Sequence, residues 1–564
     1  MKYPWQSSHA GCKKSWWNIY GWLISGLCVW LSLRVLYYAM FIWLTPMREE
    51  VSLLHYMAWL IDERSFTPYK DVLDPAFPGS ILFHMAIGRS LGYSDIAFHF
   101  ADSFWLSLMC VATGFLVRPF GLRIVAVCVT AWMAVYFSYG PAMSLQRDYV
   151  GILPVVLALV LAINIKNRCA WKLFLIGALF GLATSIKPHL IIGAPVVACA
   201  YFAQRSGDKY LNAKSVLVDT FWAISGLLFI FAALVFWLYS QNGLVAFIDM
   251  LSQNMLVYMR DDGIRSDLWA MLAQTSLSDW VNQNIPTDLG GGNITASPLF
   301  WQFSNISAHL LMAFLDWGIP ACLGLGWAFS QIDKKAEQRV YIKILLAMTV
   351  VYWLYPVLAN KYWNYHWMPF RYFALLCFCL LLVPSTKSGM RGVVSSSMAL
   401  ILFIWIMYGK MWPPNGSSVQ ENFAEWQKNK FSQNRDSSDD IAQFLQMHLN
   451  AGDVVQPIDE GGPVMRGMLL AKATLATPYM TYRQLLVNES HPVVQQARQQ
   501  FLDKIHQNPP RFFINTYTAP QASFFGERYR FEVLDTLLQQ DYHPVLNNCG
   551  STRCFLTIWE KNKP

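Results

Sequence analysis

Residues 47–95 read MREEVSLLHYMAWLIDERSFTPYKDVLDPAFPGSILFHMAIGRSLGYSD. This stretch decides the fold, because it lies between two long apolar runs, 17–45 and 96–117, and is neither a membrane span nor a plain linker. After the acidic pair Glu49 and Glu50, the apolar residues Val51, Leu54, Met57, Ala58 and Ile61 fall at helical spacing. That spacing predicts an amphipathic helix suited to lying on a membrane surface, with carboxylates held at the water–lipid boundary. In SFTPYKDVLDPAFPGS, Pro68, Pro75, Pro78 and Gly79 stop helices, while Asp71 and Asp74 add two carboxylates. A second amphipathic stretch, ILFHMAIGRSLGY, leads into the next apolar run.

Working outward, the chain has 564 residues, 55% hydrophobic and 14% charged, against about a quarter charged in a typical soluble domain. This excludes a disordered chain and argues against a soluble enzyme. The apolar residues sit in blocks before residue 410, and roughly 20 such residues cross a ~30 Å hydrocarbon layer. About eleven spans are predicted, near 17–45, 96–117, 122–138, 149–165, 172–186, 189–204, 217–240, 308–330, 343–359, 369–384 and 393–409. The first is too long for a signal-peptide core and no small-x-small cleavage site follows it, so it is read as a retained anchor.

Lys and Arg collect in alternate loops: Lys13 and Lys14; Arg118 and Arg123; Lys166 and Arg168; Arg205 and Lys209; Lys334, Lys335 and Arg339; Lys387 and Arg391. Cationic loops resist translocation, so this set is expected to be cytoplasmic, with the N-terminus. The first outer loop (46–95), the long loop 241–307 and everything after 410 then lie on the opposite side. The net charge of +8 is accounted for by topology, and no stripe suited to nucleic acid is present.

Two domains are expected: a transmembrane domain over 1–409, and an extracytoplasmic α/β domain over 410–564 that opens with the breaker-rich KMWPPNGSS. In the second, helical stretches at 439–449, 491–507 and 529–540 alternate with strand-like DVVQPID and PPRFFINTY, ahead of a closing hairpin. The eleven cysteines show no metal-ligand spacing. Cys549 and Cys554, in NNCGSTRC, are separated by a Gly-containing insert that lets a hairpin bring the sulfurs together, and a disulfide there suits an oxidising compartment.

A basic N-terminus, one span, an outer loop with an acidic pair, a surface helix and a PY.D…D…PG turn resemble the GT-C type of polytopic glycosyltransferase. That group includes the protein O-mannosyltransferases and the bacterial lipid A aminoarabinose transferases. SLQRDYVGILP (144–154), GLATSIKPHLII (181–192) and NKYWNYHWMPFRY (360–372) are similar, in order, to further outer-loop elements of bacterial members. The resemblance implies a helix-bundle membrane enzyme, in a bacterial inner membrane, that takes a polyprenyl-phosphate-linked sugar from the bilayer and transfers it, with inversion, to an envelope glycan, lipid or protein. It places the base among the first-loop carboxylates: Glu49 or Glu50, at a position where the family usually carries Asp, or else Asp71 or Asp74.

The chemistry stands on its own as well. Displacing a lipid phosphate from an anomeric carbon needs a base for the acceptor hydroxyl, and cations converging on the leaving phosphate. Arg147, Lys187, His189, Lys361, His366 and Arg371 are the candidates for the phosphate; Tyr69, Asp74, Tyr362 and Tyr365 are candidates for the sugar or acceptor. Outer carboxylates could also hold a divalent cation, although no cofactor or dedicated ligand set is evident. Each role has a plainer rival. Glu49 and Glu50 suit a helix N-terminus, Asp71 and Asp74 suit turns, and Arg147 with Asp148 suits a local ion pair. Lys187 could snorkel, and the residues around Lys361 and His366 suit an interfacial aromatic belt. His55, His84 and His99 read as structural. A flippase for lipid-linked sugars or a non-catalytic scaffold is the alternative; mid-membrane charges would mark a transporter, whereas here the unusual charges gather at span ends. Gly290, Gly291 and Gly292 fit either a mobile lid or a connector.

Overall fold

The structure, a computed structural model, describes residues 12–164, 169–204, 213–254, 298–333, 337–359, 361–385, 390–411, 437–458, 462–481, 485, 491–516, 531–549 and 554–562. The Gly290–Gly292 segment lies outside the described residues.

The membrane part consists of α1 (Cys12–Leu44), α2 (Glu49–Arg64), α3 (Pro78–Leu91), α4 (Asp95–Val117), α5 (Leu122–Ser138), α6 (Arg147–Asn164), α7 (Ala170–Ile186), α8 (Ala194–Gln204), α9 (Ala213–Ser240) and α10 (Leu244–Asp249). It continues with α11 (Pro298–Ala313), α12 (Ile319–Gln331), α13 (Gln338–Trp353), α14 (Tyr355–Ala359), α15 (Met368–Cys379) and α16 (Met390–Met411). Among the described residues, eight helices are long and apolar enough to cross a membrane; Leu122–Ser138, Ala170–Ile186 and Pro188–Gln204 are shorter apolar helices. Every predicted span falls in one of these eleven. The chain is thus the polytopic helix bundle expected, followed by a C-terminal α/β unit.

Every residue of α15 is buried, so this helix forms the centre of the bundle. At the periphery, α9 packs on α7 through glycines. A Cβ on Gly177 would lie 1.7 Å from the Ala223 carbonyl oxygen, and one on Gly226 would lie 1.8 Å from that of Phe174. With no hydrophobic drive between helices in lipid, such close backbone approach is what holds them together. Tyrosine hydroxyls inside the bundle find carbonyls: Tyr20 donates to Leu382 (3.0 Å) and Tyr38 to Met411 (2.9 Å).

The C-terminal unit comprises α17 (Ser437–His448), β1 (Val454–Pro457), α18 (Gly462–Ala471), β2 (Thr474–Leu475), α19 (Pro492–Gln507), β3 (Phe512–Asn515), α20 (Glu532–Asp541), β4 (Tyr542–Cys549) and β5 (Cys554–Lys561). Its sheet has the order β2-β1-β3-β5-β4, parallel across the first three strands and antiparallel across the last. The expected closing hairpin is present, with Cys549 and Cys554 as backbone partners.

One expectation changes. The helix after the acidic pair does form, as α2, but Val51 through Ile61 are all buried, polar Ser52 and His55 included. It does not lie on an open membrane surface, because the C-terminal unit covers it. Tyr56 donates its hydroxyl to the Ala473 carbonyl (2.8 Å), and the Leu73 N–H bonds the Pro478 carbonyl (2.8 Å), where Leu73 bridges Tyr479.

Candidate active site

Five helix ends and the loop between α2 and α3 supply the residues of the candidate site. α2 begins at Glu49, with Arg48 at its N-cap offering no side-chain hydrogen bond. Glu50, in the first turn, forms an ion pair with Arg147, the first residue of α6. Both side chains are largely buried, so Glu50 does more than complement a helix dipole. The Glu49 side chain lies outside the described residues.

Arg147 and Asp148, adjacent in the chain, belong to two different pairs: Arg147 with Glu50 and Asp148 with Lys187. The Asp148 carboxylate is fully buried; it accepts from the Tyr355 hydroxyl and lies 3.5 Å from the Lys187 ammonium, at the end of α7. The Lys187 Nζ is in turn 3.2 Å from His366 Nε2, just ahead of α15. Lys187 therefore does not snorkel away from the protein. It is buried in a polar chain that runs Tyr355–Asp148–Lys187–His366.

Asp74 and Asp71 part company. Asp71 accepts from the Thr67 N–H (2.9 Å), and its own N–H returns to the Thr67 carbonyl (3.0 Å), which is turn chemistry. Asp74 is buried and accepts from the Ala76 N–H at 2.8 Å. Burial pushes its carboxyl up to about 6; Arg147 opposes the rise, Glu50 adds to it and the Ala76 bond opposes it. Asp74 is thus electrostatically joined to the Glu50–Arg147 pair. Tyr69, held at φ +64, turns its hydroxyl to the Ala76 carbonyl (2.7 Å) and so shapes the loop around Asp74.

The remaining candidates lie around this centre with different employments. The His189 ring is 6.4 Å from that of Tyr355, and its buried Nδ1 has no partner, as is true of the Nδ1 of His366. Tyr365 packs on His366 with ring centroids 4.3 Å apart. The Tyr362 ring stacks on His309 at 4.6 Å and leaves a buried hydroxyl unpartnered. Lys361 is buried in the short connection between α14 and α15. Arg371 is committed locally: it donates to the Asn364 carbonyl (2.9 Å), and its guanidinium sits 4.5 Å over the Tyr139 ring. Among the described residues, no group of three or more His, Cys, Asp or Glu side chains is placed to hold a metal ion. Asp148 and Tyr355 are the members that sequence reasoning did not assign. The signal for Asp148 was a carboxylate at the mouth of an apolar helix; Tyr355, in an aromatic-rich run, carried none.

No family model matches this chain, and no curated protein matches it either. In overall shape it is similar to two archaeal oligosaccharyltransferase structures. One is the apo crystal structure of the Archaeoglobus fulgidus oligosaccharyltransferase, with TM-score 0.44 and 11% identity, covering 86% of this chain and 69% of that one. The other is AglB from the same organism in complex with an inhibitory peptide and a dolichol-phosphate, with TM-score 0.43 and 10% identity, covering 95% and 74%.

Proposed function

We propose that the protein is an inverting membrane glycosyltransferase, moving a sugar from a polyprenyl-phosphate donor to an envelope glycan, lipid or protein acceptor on the outer face of a bacterial inner membrane. The observation that carries this reading is the convergence of Glu50, Asp74, Arg147, Lys187 and His366 at the ends of membrane helices and the loop between α2 and α3. Ionisable groups buried together at the ends of membrane helices are expensive to desolvate and are retained for function. The mixture of carboxylates and cations is what transfer from a lipid phosphate requires.

In this mechanism Glu50, oriented by Arg147, accepts the proton of the acceptor hydroxyl through Oε2, which is buried and has no partner. The acceptor oxygen bonds to the anomeric carbon from the face opposite the phosphate, and the carbon–oxygen bond to the lipid phosphate breaks. Arg147 and Lys187 take up the charge that develops on the leaving phosphate. Asp74 accepts hydrogen bonds from acceptor or sugar hydroxyls. The test is sugar transfer from radiolabelled polyprenyl-phosphate donors in proteoliposomes carrying wild type, Glu50→Gln or Asp71→Asn. Loss in Glu50→Gln with retention in Asp71→Asn is expected, whereas full activity in Glu50→Gln overturns the assignment.

A further inference from the structure

Helix α18 was not foreseen in the sequence, yet its Arg466 makes the most heavily bonded contact between the C-terminal unit and the membrane part. Arg466 is 6% exposed. Its Nε lies 3.1 Å from both oxygens of Asp95, the first residue of α4, and its Nη2 lies 2.6 Å from Oδ2. On the other side, Nη1 donates to Ser438 Oγ (2.6 Å) and Asp439 Oδ1 (2.7 Å) at the start of α17. One guanidinium therefore ties two helices of the C-terminal unit to the mouth of a membrane helix.

Asp95 carries the connection onward. Its Oδ1 accepts from the backbone N–H of Met47 at 3.0 Å, in the turn from α1 into α2. The same turn is fixed from α4 a second time, since His99 Nε2 lies 2.8 Å from the Thr45 carbonyl. Glu50 follows Met47 by three residues, so the direction in which α2 leaves this turn sets where Glu50 meets Arg147.

We infer that Arg466 is a positioning residue for the reaction: through Asp95 and the Met47 amide it locks the turn that aims Glu50. This rests on the activity proposed above. The planar fork is what the arrangement uses, since one guanidinium serves three acceptors in two directions; an ammonium is a point charge without that geometry. Removing it leaves Asp95 without its cation, and the Met47 N–H bonded to a carboxylate that is free to turn toward water.

The test compares full-length wild type, Arg466→Met, Arg466→Lys and Arg511→Met in proteoliposomes. Arg511 bonds Asp453 and Glu560 within the C-terminal unit and, among the described residues, bonds no membrane helix, so Arg511→Met reports damage confined to that unit. Two readouts are taken: kcat and donor KM for sugar transfer, and amide hydrogen exchange of a peptide spanning 45–52. Arg466→Met is expected to lower kcat about tenfold or more with KM within twofold, and to speed exchange over 45–52. Arg466→Lys should recover only part of both, and Arg511→Met should change neither. Unchanged exchange in a folded Arg466→Met overturns the inference, as does an equal kcat loss in Arg511→Met. If wild type transfers no sugar from any donor, the activity reading falls, and exchange over 45–52 still decides whether Arg466 fixes the turn.

Discussion

Arg147, the sequence neighbour of Asp148, pairs with Glu50, 97 residues earlier in the chain. Two adjacent opposite charges could have satisfied each other at the mouth of α6. The helix start presents one to α2 and the other to Lys187, so that four ionisable groups from three chain segments share one buried region. If Arg147 both aims Glu50 and takes phosphate charge, Arg147→Met should cost about 10²–10³ in kcat. Arg147→Lys should recover part of it, keeping the charge without the fork. Steady-state transfer kinetics on proteoliposomes at matched protein give both numbers, and a loss below about tenfold in Arg147→Met would remove it from the chemistry.

Lys187 and Asp148 make a separable case for structure and function. The Asp148 side chain is fully buried and its cation is Lys187. Breaking one side of a buried pair costs on the order of 3–5 kcal/mol, because the other charge is stranded. Lys187→Met should therefore reduce the yield of monodisperse protein and lower its thermal midpoint. Adding Asp148→Asn should restore much of that stability. It should not restore transfer, since the cation meant for the phosphate is still missing. Recovery of transfer in the double variant would make Lys187 purely structural.

Asp74 links pH to both activity and stability. With its carboxyl at about 6 against an ordinary value of 3.8, it is ionised above about pH 6 and protonated below. Transfer should rise with pH through that region, and Asp74→Asn should flatten the acid limb while lowering the rate. The stability sign is opposite. A raised acid group binds more protons folded than unfolded, so its contribution is present at low pH and lost as pH rises through about 6. Asp74→Asn should then melt higher than wild type at neutral pH despite being less active, which calorimetry in detergent would show.

Much of this was legible in the chain, and the failures have local causes. The apolar blocks marked the helices because a membrane span needs length and hydropathy and little else. The spacing of Val51, Leu54, Met57, Ala58 and Ile61 marked α2, but not that its other face is buried too. That burial comes from a unit some 400 residues later: Tyr56 bonds Ala473, with 417 positions between them. Asp71 and Asp74 both read as turn carboxylates in the sequence, and only the path of the loop sends one to a turn and the other to the site. Gly462, Pro463 and Gly467 read as breakers in the segment that folds as α18, where Gly467 admits Ile441 of α17 at close range. Arg466 was hidden with it.

Cys549 and Cys554 face each other in the β4–β5 register; their side chains lie outside the described residues. The pairing predicted from NNCGSTRC is expected to form if the C-terminal unit is on the oxidising side of the membrane. Intact-mass analysis after alkylation, with and without reductant, checks it: two additional labels should appear only on reduction. Labelling of both thiols without reductant would argue against the bond and against an extracytoplasmic position for this unit.

His55 and His84 join α2 to α3 with Nδ1 atoms 3.2 Å apart, so one imidazole donates to the other and both are neutral. Burial lowers His55 to about 4, with Asp95 opposing; it lowers His84 as well, and His55 and Arg147 act in the same direction. The rings also pack on Phe83, Tyr93 and Phe98, which carry no charge to stabilise an imidazolium, and the pull of Asp95 on His55 is smaller than the effect of burial. Unfolded histidines titrate near ~6.5. The unfolded chain therefore binds more protons as pH falls, and the stability held by the neutral pair is complete above about 6.5 and lost progressively toward about 4. Thermal midpoints across that interval should fall in wild type and fall less in His84→Phe, whose ring can keep the stacking on Phe98. Parallel curves for the two proteins would mean that the acid sensitivity of the α2–α3 contact lies elsewhere, with Asp95 and its partner Arg466 the next groups to replace.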